Sequence, residues 1–364
     1  MSDLRPGKGP SPIGAQLKLH EWRPRAALQV PATAPVQPAF PVVDVHNHLG
    51  RWLSDDGDWI TPDVDDVLAL MNAAGVSTIV NLDGRWGDDL VANLARYDQA
   101  HPGRFATFCH IDWSLLATDE DATGVAARLQ DQLATSAAAG ARGVKVWKDL
   151  GLSIRDASGA LVMPDDPRVI AVLRAAGDLG MPVLIHTADP VAFFDPLDET
   201  NERLDELAQQ PDWWFGGPEH PTFPELMHSL DQLIGACGST TFVGAHVGCW
   251  SEDLRAVGDM LTRHRNWNVD LGGRLGELGR QPRIFARFVS DYSDRVLFGT
   301  DAFPPSLDEY ERYYRFLETD DDHFDYTDAE IPPQGRWAIY GCALEPHLLQ
   351  AVYSGNAHRL LRLP

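Results

Sequence analysis

The stretch "VVDVHNHLG" (Val42–Gly50) decides how the rest of the chain is read. Apolar β-branched residues run into two histidines one residue apart, and a glycine follows. Residues two apart on a strand share a face, so His46 and His48 project together from the end of a predicted strand. Two imidazoles on one face are half of a metal site or two polar residues in a turn. The pattern further along the chain separates these readings.

Seven more short apolar runs resemble the first: residues 77–83, 104–112, 141–147, 182–187, 241–247, 266–272 and 295–301. Helical periods fall between most of them, at residues 63–75, 123–140, 167–180 and 223–238, and several end in glycine, as helix C-termini often do. Eight alternating units predict an α/β protein, a (β/α)8 TIM barrel, with a doubly wound open sheet as the rival. Polar residues favour the barrel. His46 and His48 end the first run, Lys145 lies near the end of the fourth with Lys148 just beyond, His186 ends the fifth, His246 the sixth and Asp301 the eighth. Only a closed barrel brings all these strand ends to one mouth, where catalytic groups of this fold sit.

Imidazole and carboxylate are the usual ligands of borderline divalent ions, so the set predicts a metal centre. Taken singly, each member has a plainer reading. Asp301 would cap a helix, His186 or His246 would be a hydrogen-bonded core histidine, and Lys145 a surface charge. Their joint position at strand ends favours the metal. A lysine beside a cation becomes a ligand if its amine takes up CO₂ as a carbamate.

The bulk properties set bounds. The chain has 364 residues and a net charge of −23, from 30 basic and 53 acidic side chains. That sign argues against nucleic acid or an anionic membrane surface and leaves a small-molecule substrate as the expected partner. No run reaches the roughly 20 apolar residues of a membrane-spanning helix, and the first residues lack the apolar core of a secretion signal. Cys109, Cys237, Cys249 and Cys342 show no CxxC spacing and are expected to be reduced thiols, mostly buried, in a cytoplasmic protein. Homo-oligomerisation is left open. Residues 1–40, rich in proline, are expected to form an extended arm whose Trp22, Leu28, Val30 and Phe40 pack on the barrel domain of residues 41–364. Residues 188–225 form an insertion too long for an ordinary connection and read as a lid. Its Phe194 and Trp214, with His110 near the end of the third strand and Arg274 after the seventh, are the candidate substrate-pocket residues. The acidic run "ETDDDHFD" reads as a solvated face.

The motifs "VVDVHNHLG", "GVKVW", "VLIHT", "VGAHVG" and "VLFGTDAFP", in that order, resemble those of the amidohydrolase superfamily, in its amidohydrolase-related (amidohydrolase 2) branch. The resemblance spans residues 42–364. It implies that His46 and His48 ligate the more buried ion and that Lys145 aligns with the lysine carbamylated in two-metal members, with Lys148 as the alternative bridge. His186 and His246 would hold the second ion in such members. In one-metal members the match to His186 binds the single ion and the match to His246 is catalytic. Asp301 resembles the eighth-strand ligand and general base. One or two divalent ions (Zn, Fe or Mn) are implied. The reaction expected is metal-dependent hydrolysis of an amide, ester or lactone, with Asp301 and His246 catalytic. The alternative is a nonheme dinuclear iron (or Mn/Fe) monooxygenase acting on an apolar molecule. A decarboxylase ranks below both, because decarboxylases of the family typically lack the fourth-strand lysine. A barrel that only binds a partner predicts a lost ligand position, and none is lost.

Overall fold

A computed structural model describes residues 16–18, 21–33, 37–118 and 121–363. Eight strands follow one another in hydrogen-bonded order: β1 (Val42–Asn47), β2 (Val76–Asn81), β3 (Phe105–Cys109), β4 (Gly143–Val146), β5 (Val183–Ile185), β6 (Phe242–Gly244), β7 (Trp267–Asp270) and β8 (Val296–Leu297). Each pairs in parallel with the next. The ring closes between β8 and β1. Val45 N donates to Phe298 O (3.0 Å), Asp301 N donates to His46 O (2.8 Å), and Asn47 bridges Ala302 in parallel. One helix of eight or more residues follows each strand: α1 (Val64–Ala73), α2 (Gly87–Leu94), α3 (Ala122–Ala139), α4 (Pro167–Asp178), α5 (Phe223–Ala236), α6 (Leu254–Arg263), α7 (Pro282–Asp291) and α8 (Leu307–Glu318). This is the (β/α)8 barrel expected from the sequence. The strands are shorter than the apolar runs, because the polar residues at each run's end have left the ladder for the mouth.

Local sequence accounts for the helices. Asp63, Asp121, Asp166, Asp253 and Ser306 accept backbone N–H bonds at helix starts, and Thr222 with Glu225 forms a capping box before α5. Two buried apolar groups result. The inner one joins Val43, Val45, Val80, Leu82, Phe108, Leu184, Val243 and Leu297 from the strands to Ala357 and Leu361 of the last helix. Asn356 of that helix donates to Val296 O (2.9 Å) and Ser293 O (2.8 Å), so the helix closes the barrel at the strands' N-terminal end. The outer and larger group lies between strands and helices.

Parts of the arm, residues 1–15, 19–20 and 34–36, lie outside the described residues. Where described, residues 22–33 carry neither helix nor strand. Phe40 packs on the core as expected, but Trp22, Leu28 and Val30 are exposed. Polar contacts hold the segment instead: Thr33 N and Oγ1 donate to Asp321 (2.6 and 2.9 Å), Arg23 pairs with Glu330 (2.6 Å), and Arg336 donates to Trp22 O. Asp321 is correspondingly buried and also takes Arg315 Nε at 2.8 Å, which departs from the solvated reading at this one aspartate, while Asp320, Asp322 and Asp325 of the same run are exposed as expected. The four cysteines are unpaired, with Cys109, Cys237 and Cys249 buried. No helix among the described residues is long and apolar enough to cross a membrane.

Candidate metal centre

Strand parity changes inside β1. Val43 and Val45 point into the barrel, so His46 would face the helices if the strand continued regularly. The β1–β2 register shifts between Asp44 and Asn47, and beyond that irregularity His46 and His48 both face the mouth. Asp44, fully buried, anchors the shift. Its carboxylate accepts from His46 N (3.1 Å), Asn47 Nδ2 (3.1 Å), Thr300 N (3.1 Å), Thr300 Oγ1 (2.7 Å) and Tyr310 OH (2.8 Å). β1, the end of β8 and α8 therefore meet on one carboxylate.

Three imidazoles converge on Asp301. His46 Nε2 lies 3.3 Å and His48 Nε2 3.2 Å from its Oδ1, and His246 Nε2 lies 3.8 Å from Oδ2. In each ring the other nitrogen is already engaged: His46 Nδ1 with Asp270 (3.0 Å), His48 Nδ1 with Asp83 (2.9 Å) and His246 Nδ1 with Gly272 O (2.7 Å). Such partners fix the tautomer and leave Nε2 bare towards the centre, the arrangement of metal-ligating histidines. His46, His48 and Asp301 offer ligand atoms all within 4.8 Å of one another, and this donor set fits a divalent ion. Backbone geometry serves the convergence. His246 and Asp301 adopt φ of 58° and 59°, values a non-glycine residue holds only when its surroundings enforce them. A Cβ at Gly272 would stand 2.8 Å from His46 Nδ1, and one at Gly299 2.9 Å from His46 Cβ. Glycine at both positions gives the imidazole its room.

The remaining predicted ligands surround this core. The His186 ring is 4.3 Å from that of His246, and its Nε2 stands 3.3 Å from Asp189 without a well-directed hydrogen bond. Lys145 Nζ lies 3.5 Å from His46 Nε2. Lys148 Nζ pairs with Asp189 instead. The structure thus brings His46, His48, Lys145, His186, His246 and Asp301 together and gives Lys148 a different partner.

Electrostatics follow from burial in this crowd. Desolvation pushes the Lys145 ammonium down to about 8, against the pull of Asp301 and Asp270. Burial opposes the charged form of His48, but Asp83 and Asp301 overcome it and raise the imidazole to about 9. Burial lowers His186 to about 4, despite Asp189, and holds His246 well below its ordinary value with help from Arg274. Burial would raise Asp301, yet His46, His48 and His246 keep its carboxyl well below the usual range.

A cleft of about 390 Å³ opens beside Lys145, lined among others by Trp52, Arg85, Trp86, His110, Trp113 and Trp147. His110, predicted for the pocket, is there. Its Nε2 sits 2.6 Å from Leu82 O and so carries the proton, which makes the 3.2 Å approach of Trp147 Nε1 to the same atom a contact rather than a hydrogen bond. Phe194 is elsewhere. It lines a second cleft of about 500 Å³ with Phe215, Phe223 and Trp250, and packs at 5.5 Å on Phe215 and 5.6 Å on Phe223. The Trp214 indole N–H donates to Asp195 O (2.8 Å), a bond inside the insertion. Arg274 is buried after β7, with Nη1 donating to Gly273 O (2.9 Å). The insertion's aromatics pack first on one another, so most of them do not reach the cleft that contains Lys145.

Sequence reasoning missed Asp83, Asp270, Trp147, Trp52 and Arg85. The first two follow the same strand-end rule that found the histidines. Trp147 shares its face with Lys145 by the two-residue period. Trp52 and Arg85 sit in loops, where no period marks them.

A model of a family described as Amidohydrolase matches residues 43–363. A search of curated proteins finds no match. Among solved structures, a TIM-barrel protein from Bordetella bronchiseptica superposes with a TM-score of 0.55 at 16% identity, over 89% of this chain and 99% of that one. A 2,6-dihydroxybenzoate decarboxylase from Rhizobium gives 0.54 at 15% identity, over 89% and 99%. A dihydroxybenzoic acid decarboxylase from Polaromonas sp. JS666, with bound manganese and the inhibitor 2-nitroresorcinol, gives 0.54 at 14%, over 89% and 97%. At these identities the likeness is one of fold.

Proposed function

Because the chain belongs to the amidohydrolase family, we propose that it is a metal-dependent hydrolase of a small, partly apolar substrate. The observation that carries this reading is Lys145, a buried amine 3.5 Å from His46 Nε2 among groups suited to hold a cation. An ammonium there would repel the ion. A neutral amine, favoured by the same burial, reacts with CO₂ to a carbamate and releases a proton, which converts the misfit into an anionic ligand. His46, His48 and Asp301 would hold one divalent ion, and His186, His246 and the modified Lys145 a second. The manganese bound by the Polaromonas decarboxylase supports a divalent ion at this mouth.

Such ions lower the pKa of water towards neutrality and polarise a carbonyl. The protein supplies the rest. Asp301, kept ionised by the imidazoles around it, accepts the proton of the attacking water through an oxygen and returns it to the leaving group. His246, with its Nδ1–H committed to Gly272 O, would keep Nε2 for the second ion. Asp83 and Asp270 hold the two β1 imidazoles at their angles. The insertion over residues 188–225 acts as a cover fastened by buried Arg203, which pairs with Glu277 after β7.

Metal analysis of the purified protein with turnover of an amide, ester and lactone panel tests the reading. Zinc or manganese with O₂-independent hydrolysis, lost in Lys145→Ala and partly restored by added formate or acetate, is the expected result. Iron with O₂-dependent turnover would replace it with the monooxygenase, and CO₂ release from an acid with the decarboxylase.

A further inference from the structure

The insertion is rich in rings and carboxylates and poor in cations. Between residues 188 and 225 stands a single lysine or arginine, Arg203, and it is buried against Glu206 and Glu277. The second cleft, about 500 Å³, takes its lining from this segment and from Trp250. Phe215, Phe194, Phe223 and Trp250 form one continuous wall, with successive ring centroids 5.5, 5.6 and 5.2 Å apart. No lysine or arginine lines it, and it shares no lining residue with the cleft beside Lys145. Lys148 Nζ, 5.6 Å from the Phe215 centroid, lies outside the lining and is neutralised by Asp189.

Two carboxylates stand at the rim. Asp195 is exposed, lines the cleft and makes no ion pair among the described residues. The Glu219 carboxylate folds back on Gly217, a lining residue, where a Cβ would stand 2.5 Å from both of its oxygens. It meets His220 Nε2 at 3.8 Å, beyond hydrogen-bond distance. Hydrogen bonds hold the wall in shape. Phe215 N donates to Phe193 O (2.8 Å), Trp214 Nε1 donates to Asp195 O (2.8 Å), and Val191 N donates to Glu252 Oε1 (3.1 Å), which ties the insertion to the loop that carries Trp250.

Aromatic faces carry partial negative charge and attract a cation, and a cleft with an anionic rim gathers cations from solution. A primary ammonium brings three N–H donors that need acceptors, whereas an alkylated one brings one or none and suits a wall of rings. We propose that this cleft is a second binding site, apart from the metal centre, for a cationic amphiphile: an alkylated ammonium whose head lies against the rings near Asp195 and Glu219 and whose apolar body fills the cleft. The site is independent of the reaction performed at the metal centre.

Calorimetric titration of the full-length protein at low ionic strength tests it, with benzyl(2-hydroxyethyl)dimethylammonium and its neutral carbon isostere, 3,3-dimethyl-4-phenylbutan-1-ol. A merely apolar cleft favours the isostere, because the cation must shed water. Wild type is expected to bind the cation about fivefold or more tightly than the isostere. Trp250→Leu, which removes a ring and keeps an apolar side chain, should abolish most of that preference. Asp195→Asn/Glu219→Gln, on the exposed rim where folding is not at stake, should lower it about threefold and reduce its sensitivity to salt. Trp52→Leu, in the cleft beside Lys145, should leave it unchanged. Wild type that binds the two probes equally, prefers the isostere or binds neither overturns the proposal. So does a preference that survives both the Trp250 and the rim variants, or one that vanishes in Trp52→Leu, since the cation then sits in the other cleft.

Discussion

Two aromatic clefts flank the barrel mouth, and they differ in what else lines them. The larger, about 500 Å³, is lined by Phe194, Phe215 and Phe223 of the insertion and by Trp250 after β6. The smaller, about 390 Å³, carries four tryptophans but also Lys145, Arg85 and His110. Both would be read as apolar pockets from composition. What separates them is positive charge: Lys145 and Arg85 line the smaller, and neither lysine nor arginine lines the larger. In the larger cleft the rings are satisfied by one another. In the smaller one Lys145 reaches the histidine cluster, with Nζ 3.5 Å from His46 Nε2, so that cleft is expected to carry the chemistry.

Alanine at His46 or His48 should cost about 10³-fold or more in turnover together with bound metal, measured by elemental analysis and steady-state rates, while Phe215→Ala in the larger cleft keeps its metal. Equal losses would erase the distinction between the clefts. Arg203→Met leaves Glu277 buried without its cation, and unfolding free energy should fall by about 3–5 kcal/mol in chemical denaturation. The loss should shrink when Glu277→Gln is added. Behind the candidate ligands, Asp270→Asn or Asp83→Asn should weaken metal affinity about 10–100-fold in competition with a chelator.

The pH response sharpens the contrast further. Asp83 and Asp301 overcome burial and lift the His48 proton from 6.5 to about 9. A raised value stabilises the folded, metal-free protein fully below about 6.5, and that stability is lost as pH rises through 9. The melting temperature of metal-free protein should therefore fall from pH 7 to 9. Metal must displace the same proton, so its affinity should rise about tenfold per pH unit over that interval. The smallest effect belongs to the clefts themselves. Trp147→Ala should lower kcat/KM about tenfold, and Phe194→Ala by less than about twofold.

The barrel and the side-chain cluster at its mouth were legible for one reason. A parallel barrel gathers the C-terminal ends of its strands, so a strand-end residue type is also a site residue type. His46, His48, Lys145, His186, His246 and Asp301 all follow from that rule. The rule fails where position depends on backbone irregularity. Nothing in "VVDVHNH" announces the register shift after Asp44 that turns His46 inward, nor do the residues predict the left-handed φ at His246 and Asp301. It fails again in loops. Phe194 and Trp214 were favoured for being aromatic and near the mouth, whereas Trp52 and Arg85 had no pattern to mark them. Loop aromatics are sorted by which neighbour they reach first, and that is a three-dimensional fact.

The seam of the barrel has a consequence for how the protein is made. His46 and Asp301 stand on either side of the junction between β1 and β8, and Asp44 ties that junction across 256 residues of sequence. Contacts this distant in the chain are among the last that folding can secure. During synthesis His46 and His48 wait without Asp301 until nearly the whole barrel has emerged, so the candidate donor set is complete only in the finished ring. On the proposed function, metal capture would be a check on completed closure, and an ion binding only the closed form would lock the last strand to the first.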